Sequence, residues 1–199
     1  SLIVPRGEGA IGRTDESALL IGALPVPAVW ENGTWRTDEY DELAETSYGQ
    51  AVDIQMALTV PKTVLAAFGG AWIDEQDNGD GTKTLAMQLS GAREIAFAMR
   101  AEGEIRQTRA GDVLITALAE NARTASRLRE AAADALEAIE KLGFSYPFSS
   151  LTVVQAQTGR ADGALGSALV AVDADAKADA LLAQMTRLCA RQIFGVQVE

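Results

Sequence analysis

Histidine is absent from the 199-residue chain, and Cys189 is the only cysteine. Within these residues that rules out histidine-ligated zinc, Ser-His-Asp and Cys-His catalysis, a histidine general base and thiolate-rich metal sites. The chemistry left rests on carboxylates, guanidiniums and aromatic rings. Arg187 and Arg191 stand four residues apart. On a helix they share a face, and two guanidiniums there suit an anion or the carboxylate end of a peptide. The plainer expectation is that they pair with internal carboxylates or face solvent. Asp77 and Asp80, set among Asn78, Gly79 and Gly81, hint at a calcium loop, but the alternating ligands and closing Glu of an EF-hand are missing. A plain hairpin turn is expected there instead. Trp30, Trp35 and Tyr40 surround Asn32-Gly33; they are either a ligand platform or, the favoured expectation, rings packed under a long loop. Cys189 has apolar neighbours at helical spacing and no histidine to activate it, so a buried, inert thiol is expected.

These side chains must be held by two kinds of element. From about Ala18 to Leu118 the pattern is that of strands. Ala18 to Gly22 is a short buried strand. Val52, Ile54, Met56, Leu58 and Val60 alternate along a strand that Pro61 stops. Thr63 to Phe68 is another, closed by Gly69-Gly70. Ala71 to Gln76 and Thr82 to Leu89 flank Asn78-Gly79-Asp80-Gly81, a hairpin signal because Asn-Gly and Asp-Gly accept positive φ. Glu94 to Met99, Glu104 to Thr108 and Asp112 to Leu118 complete the set, and many short strands at regular spacing predict a sandwich. From Glu120 the period changes. Leu128, Ala132, Ala135, Leu136, Ile139 and Leu142 recur as on a helix, which Gly143 ends. Leu151 to Gln157 and Leu165 to Val172 are predicted as single strands. Asp173 is expected to cap a last helix from about Ala174 to Phe194, with Ala178, Leu181, Leu182, Met185, Leu188 and Cys189 as its apolar stripe. The change of period places a domain boundary near Ala119, and the segment Asp38 to Glu45 is expected to be a solvated loop.

Composition bounds the partners. The net charge is −11, and 48% of residues are hydrophobic. A packed core is within reach, and polyanions such as nucleic acid or anionic membrane are disfavoured. One cysteine permits no internal disulfide and does not fix the compartment. No apolar run is long enough to span a bilayer, and no signal peptide is visible. The start without Met and the end directly after an apolar helix suggest a domain excised from a longer protein. An extracytoplasmic or membrane-linked parent is the expectation.

Gly143-Phe144-Ser145-Tyr146-Pro147-Phe148, leading into Ser149-Ser150-Leu151-Thr152-Val153-Val154, resembles the opening of the catalytic domain of gluzincin zinc aminopeptidases, the alanyl aminopeptidase and leukotriene-hydrolase group. There a long helix, a Gly-x-Tyr-Pro-Phe/Tyr turn and a strand follow one another. Leu58-Thr59-Val60-Pro61-Lys62, Asn78-Gly79-Asp80-Gly81-Thr82 and Ile95-Ala96-Phe97-Ala98 are similar to the N-terminal β domain of that family, in the same order, from about Leu20 onward. The resemblance implies an α+β fold. Residues 1–118 would be an antiparallel β-sandwich-like domain, and 119–199 the helix-strand-strand-helix start of a thermolysin-like α/β domain.

The family's Gly-x-Met-Glu-Asn strand, which binds the substrate amine, aligns with Gly163-Ala164-Leu165-Gly166, so Leu165 replaces the acidic residue. Its H-E-x-x-H helix aligns with Arg187-Leu188-Cys189-Ala190-Arg191, followed by Gln192-Ile193-Phe194-Gly195. Both imidazoles become guanidiniums, which repel a dication, and the general base becomes Leu188. The resemblance thus implies a degenerate member with no metal, no cofactor and no catalytic residue. Leu165, Arg187, Leu188 and Arg191 would be vestigial positions, with Arg187 and Arg191 offering a carboxylate or anion site. The expected function is a non-catalytic module that binds a peptide or protein partner within a larger protein. Two alternatives are a fragment of a zinc metallopeptidase-class enzyme whose activity lies outside these residues or uses others such as Asp162 and Asp173, and a structural spacer.

Overall fold

Residues 3–25, 27–36, 50–173 and 175–197 are described by a computed structural model of the chain. In chain order the strands are β1 (Ile11–Arg13), β2 (Ser17–Ile21), β3 (Trp30–Glu31), β4 (Thr34–Trp35), β5 (Val52–Pro61), β6 (Leu65–Phe68), β7 (Ala71–Asp77), β8 (Thr82–Ala92), β9 (Ala96–Arg100), β10 (Glu104–Ala110) and β11 (Val113–Ala119). Helix α1 (Ala122–Lys141) follows, then β12 (Ser150–Gln155), β13 (Ala164–Gly166), β14 (Leu169–Val172) and helix α2 (Ala178–Gln197). The fold is α+β and mostly strand. Neither described helix is long and apolar enough to cross a membrane.

Side-chain alternation stacks these elements in layers. A four-stranded antiparallel sheet, in the order β1-β2-β9-β6, is covered on both faces. Leu20, Phe97 and Phe68 point to one side, where Ile54, Val60, Leu85, Met87 and Leu89 of the three-stranded sheet β5-β8-β7 meet them. Leu19, Ile21, Ala67, Ala96 and Ala98 point to the other side. There they meet Leu118, Val154, Leu169 and Ala171 of a five-stranded sheet in the order β10-β11-β12-β14-β13. The far face of that sheet carries Ile115, Ala117, Leu151, Val153, Val170 and Val172 against both helices. Strands buried on both faces read as nearly continuous apolar runs, as Leu169–Val172 does throughout and Leu151–Val154 does but for Thr152.

Helix α1 joins β11 to β12, which run parallel, as a crossover requires. Asn121 caps its start, its side chain accepting from the Thr124 N–H at 2.9 Å. Its end has the Schellman pattern, with Gly143 at φ 87°, the Gly143 N–H on Glu140 O and the Phe144 N–H on Ile139 O.

Several expectations need correction. The predicted strand over Leu165–Val172 is an antiparallel hairpin, β13 and β14, because the chain reverses at Ser167 and Ala168, the latter at φ 55°. Helix α2 begins at Ala178, since the Asp173 carboxylate accepts from the Asp175 N–H and holds a local turn instead of a cap. Position 118/119 falls within the five-stranded sheet, where β11 is bonded to both β10 and β12. The strands 104–119 therefore join the helical part rather than ending a separate β domain. The segment Asp38 to Glu45 and Ala174 lie outside the described residues.

The seam between the four- and five-stranded sheets is set by small residues. A Cβ at Gly69 would stand 2.1 Å from Ser167 O, and one at Gly166 2.7 Å from Ala96 Cβ. Thr152 adds a buried hydroxyl bond to Phe68 O at 2.6 Å across the same seam. Gly69→Ala should lower the unfolding free energy by about 1–3 kcal/mol, through overpacking against backbone. Gly195→Ala, on an open face of α2, should raise it by up to about 1 kcal/mol. Urea titration of both variants measures this, and equal stability of the two would contradict the seam.

Candidate functional site

Helix α2 turns one face to the five-stranded sheet, and its residue types decide which. Leu181, Met185, Leu188, Cys189 and Ile193 are fully buried in the helix-side core. Leu182 packs there in part. Ala178, expected in the same stripe, is exposed in the first turn.

Two buried glutamines fix the helix to the β13–β14 hairpin and to the turn that precedes it. Gln192 donates from Nε2 to Gly166 O at 2.6 Å and to Leu169 O at 3.1 Å, and its Oε1 accepts from the Tyr146 hydroxyl at 2.6 Å. Gln184 donates to Ala161 O at 3.1 Å. Between them Leu188 lies so close that a Cβ at Gly163 would be 3.3 Å from Leu188 Cδ1. The sequence reading missed Tyr146, Gln184 and Gln192 in these roles. Its one available signal was polar residues at positions 184 and 192 flanking an apolar helical stripe.

The vestigial positions are therefore near one another but unlike in environment. Leu188 is buried and Leu165 half-buried, both within the helix-side core. Arg187 points out and pairs with Asp162, just before β13, with both side chains more than half exposed. An ion pair so exposed contributes little stability. Arg191 is exposed one turn further on and makes a contact of its own. A carboxylate arriving at this arginine pair would have to displace Asp162. Asp173, just after β14, accepts from the Asp175 N–H, whereas Asp162, just before β13, is engaged by Arg187, so the two carboxylates have separate partners.

The other chemical candidates settle into structural roles or change place. Asp77 accepts from the Gly79 N–H and pairs with Lys62, and Asp80 accepts from the N–H and hydroxyl of Thr82. Hydrogen bonds hold both carboxyls below their ordinary range, the Lys62 bond first for Asp77 and the Thr82 hydroxyl first for Asp80. This is the hairpin that was expected. Trp30 and Trp35 are paired across a two-residue turn, with Asn32 at φ 52° and Gly33 at φ 81°. Their rings meet edge to face at 4.8 Å and are 55% and 60% exposed, so the expectation of packing under a loop is overturned. The rings cover each other instead. Tyr40 lies outside the described residues. Among the described residues no group of three or more His, Cys, Asp or Glu is gathered to hold a metal ion.

Cys189 is fully buried, and desolvation pushes its thiol up to about 12. Burial likewise raises Tyr146 well above the usual phenol value. Both shifts favour the neutral form in the folded chain, so the folded state binds more protons than the unfolded one in alkali. The stability tied to Cys189 is complete below the thiol's ordinary value of 9.0 and is lost as pH rises toward about 12. Unfolding free energy should fall across that window, and Cys189→Ala should flatten part of the fall. At pH ~8 a thiol-specific disulfide reagent should label Cys189 in urea and not in buffer; fast labelling in buffer would show the thiol to be accessible.

No protein-family profile matches the chain, and no curated protein matches it.

Proposed function

We propose that the chain is a non-catalytic, aminopeptidase-like module that binds a peptide or protein partner within a larger protein. The five-stranded sheet with α1 and α2 on one face is taken as the start of a thermolysin-like part, and the antiparallel sheets before it as the accompanying β part. The order of elements supports this reading: long helix α1, the Tyr146-Pro147 turn, β12, the edge strand β13 with β14 beside it, then α2. The observation that carries it is the state of α2 at the aligned positions. A general base must reach solvent and substrate, whereas Leu188 at that position is buried against the edge strand. The positions of the two imidazoles hold guanidiniums, one of them engaged by Asp162. A permanent cation cannot donate a lone pair to a metal.

Protein incubated with excess zinc and desalted should retain far less than one zinc per chain by elemental mass spectrometry. It should also release no fluorophore from aminoacyl-coumarin substrates. Stoichiometric zinc together with turnover abolished by a chelator would sink the reading.

A further inference from the structure

Three asparagines occur in the chain, and two of them, Asn32 and Asn78, precede glycine. A glycine there puts no Cβ between its main-chain nitrogen and the preceding carboxamide, so that nitrogen can close on the asparagine Cγ. Both pairs sit in exposed hairpin turns. Their surroundings are nevertheless opposite.

Asn78 is held on every side. Its Nδ2 donates to Thr82 Oγ1 at 2.9 Å and to Thr84 Oγ1 at 3.0 Å. Its N–H donates to Thr82 O, and the Gly79 N–H, on the nitrogen that would attack, donates to Asp77 Oδ1 at 2.8 Å. The strands that close this turn, β7 and β8, have seven and eleven residues. Asn32 has none of these restraints. Among the described residues its carboxamide has no hydrogen-bond partner. Gly33 lies outside the β3–β4 ladder, whose pairs are Trp30 with Trp35 and Glu31 with Thr34. Each strand has two residues, and among the described residues no third strand joins them. The Glu31–Arg36 ion pair beside them is exposed. A hairpin with so few bonds opens at lower free energy than a turn set in long strands. Each opening lets the Gly33 nitrogen and Asn32 Cγ reach attacking distance.

We propose that Asn32 is a self-modifying site, where ring closure by Gly33 and hydrolysis convert the asparagine to aspartate and isoaspartate and so undo the Trp30–Trp35 pair. The Gly33 nitrogen gives its proton to solvent and bonds to Asn32 Cγ. The Cγ–Nδ2 bond breaks, and the amide nitrogen takes a proton from solvent and leaves as ammonia. Water then adds to one carbonyl of the succinimide. Opening at Cγ gives aspartate. Opening at the main-chain carbonyl gives isoaspartate, whose chain runs through Cγ and is one carbon longer. One water is consumed and one ammonia released, with no oxidation or reduction. The longer chain cannot keep the two-residue turn, with Asn32 at φ 52° and Gly33 at φ 81°, that sets the indoles opposite each other. Either product also adds a carboxylate next to Glu31.

The whole chain is incubated in mildly alkaline buffer, and digests taken over time are sequenced by electron-transfer mass spectrometry, which separates aspartate from isoaspartate. Conversion at Asn32 should run at least about tenfold faster than at Asn78. The circular dichroism band of the paired indoles should fade as isoaspartate appears. Asn32→Gly keeps a turn-forming pair without a carboxamide, so its band should persist through the same incubation. Equal or faster conversion at Asn78 would overturn the site. So would an unreacted Asn32 when a free peptide of residues 30–35 has been fully converted. A band that fades equally in Asn32→Gly, or survives complete conversion to isoaspartate, would overturn the effect on the indoles.

Discussion

The close approach of two sheets governs the rest of this molecule. Where the four-stranded sheet lies on the five-stranded one, alanines and glycines face each other, and backbone nearly touches backbone at Gly69 and Ser167. Such a seam gives up side-chain volume and gains density, and dense packing has no room for even a methyl group. It also fixes position. Thr152 reaches across to the carbonyl of Phe68, so the sheets are locked in register by a bond that neither could satisfy alone. The hairpin β13–β14 is held from this side by the seam and from the other by Gln192 on α2. An edge strand gripped on two sides is a rigid reference for anything that binds nearby.

Packing of this kind also explains why the chain is one unit in spite of its two textures. The β-rich portion and the helical portion are not neighbours joined by a linker. The hairpin β10–β11 is read in sequence with the former and bonded in space to the latter. Cutting the chain after β11 would strip β12 of one of its two partners and bare the apolar face that Leu19, Ile21 and Ala98 cover. Cooperative unfolding of the whole is the natural outcome of a core shared in this way.

Much of the frame was legible in the residues, and the misses have physical causes. Val52 to Val60 alternate because one face of β5 is wet, and that alternation survives in the sequence. The stripe from Leu128 to Ile139 and the stop at Gly143 announce α1 for the same reason. The β13–β14 reversal was hidden because its left-handed residue is Ala168, which carries no turn signal of its own. Asp173 looked like a cap because capping and turn-forming use the same carboxylate-to-N–H bond. The boundary at Ala119 confused a change of periodicity with a change of sheet. At the site, the spacing of Arg187, Leu188 and Arg191 was plain, but which of them faced the sheet was not. Polar residues at positions 184 and 192 rank as surface by type, and only the hairpin and the turn before it, which they grip, put them inside.

The tryptophan hairpin has an optical consequence. Trp30 and Trp35 are largely exposed in the native state, and among the described residues their rings pair with each other. Two of the chain's three indoles will thus emit at long wavelength before any denaturant is added, and will change little when the core opens. Only Trp72, tucked partly against the β5–β8–β7 core, senses the collapse of that interior. The intrinsic emission of this protein is therefore a poor witness to its folding and a good one to whatever touches that exposed pair.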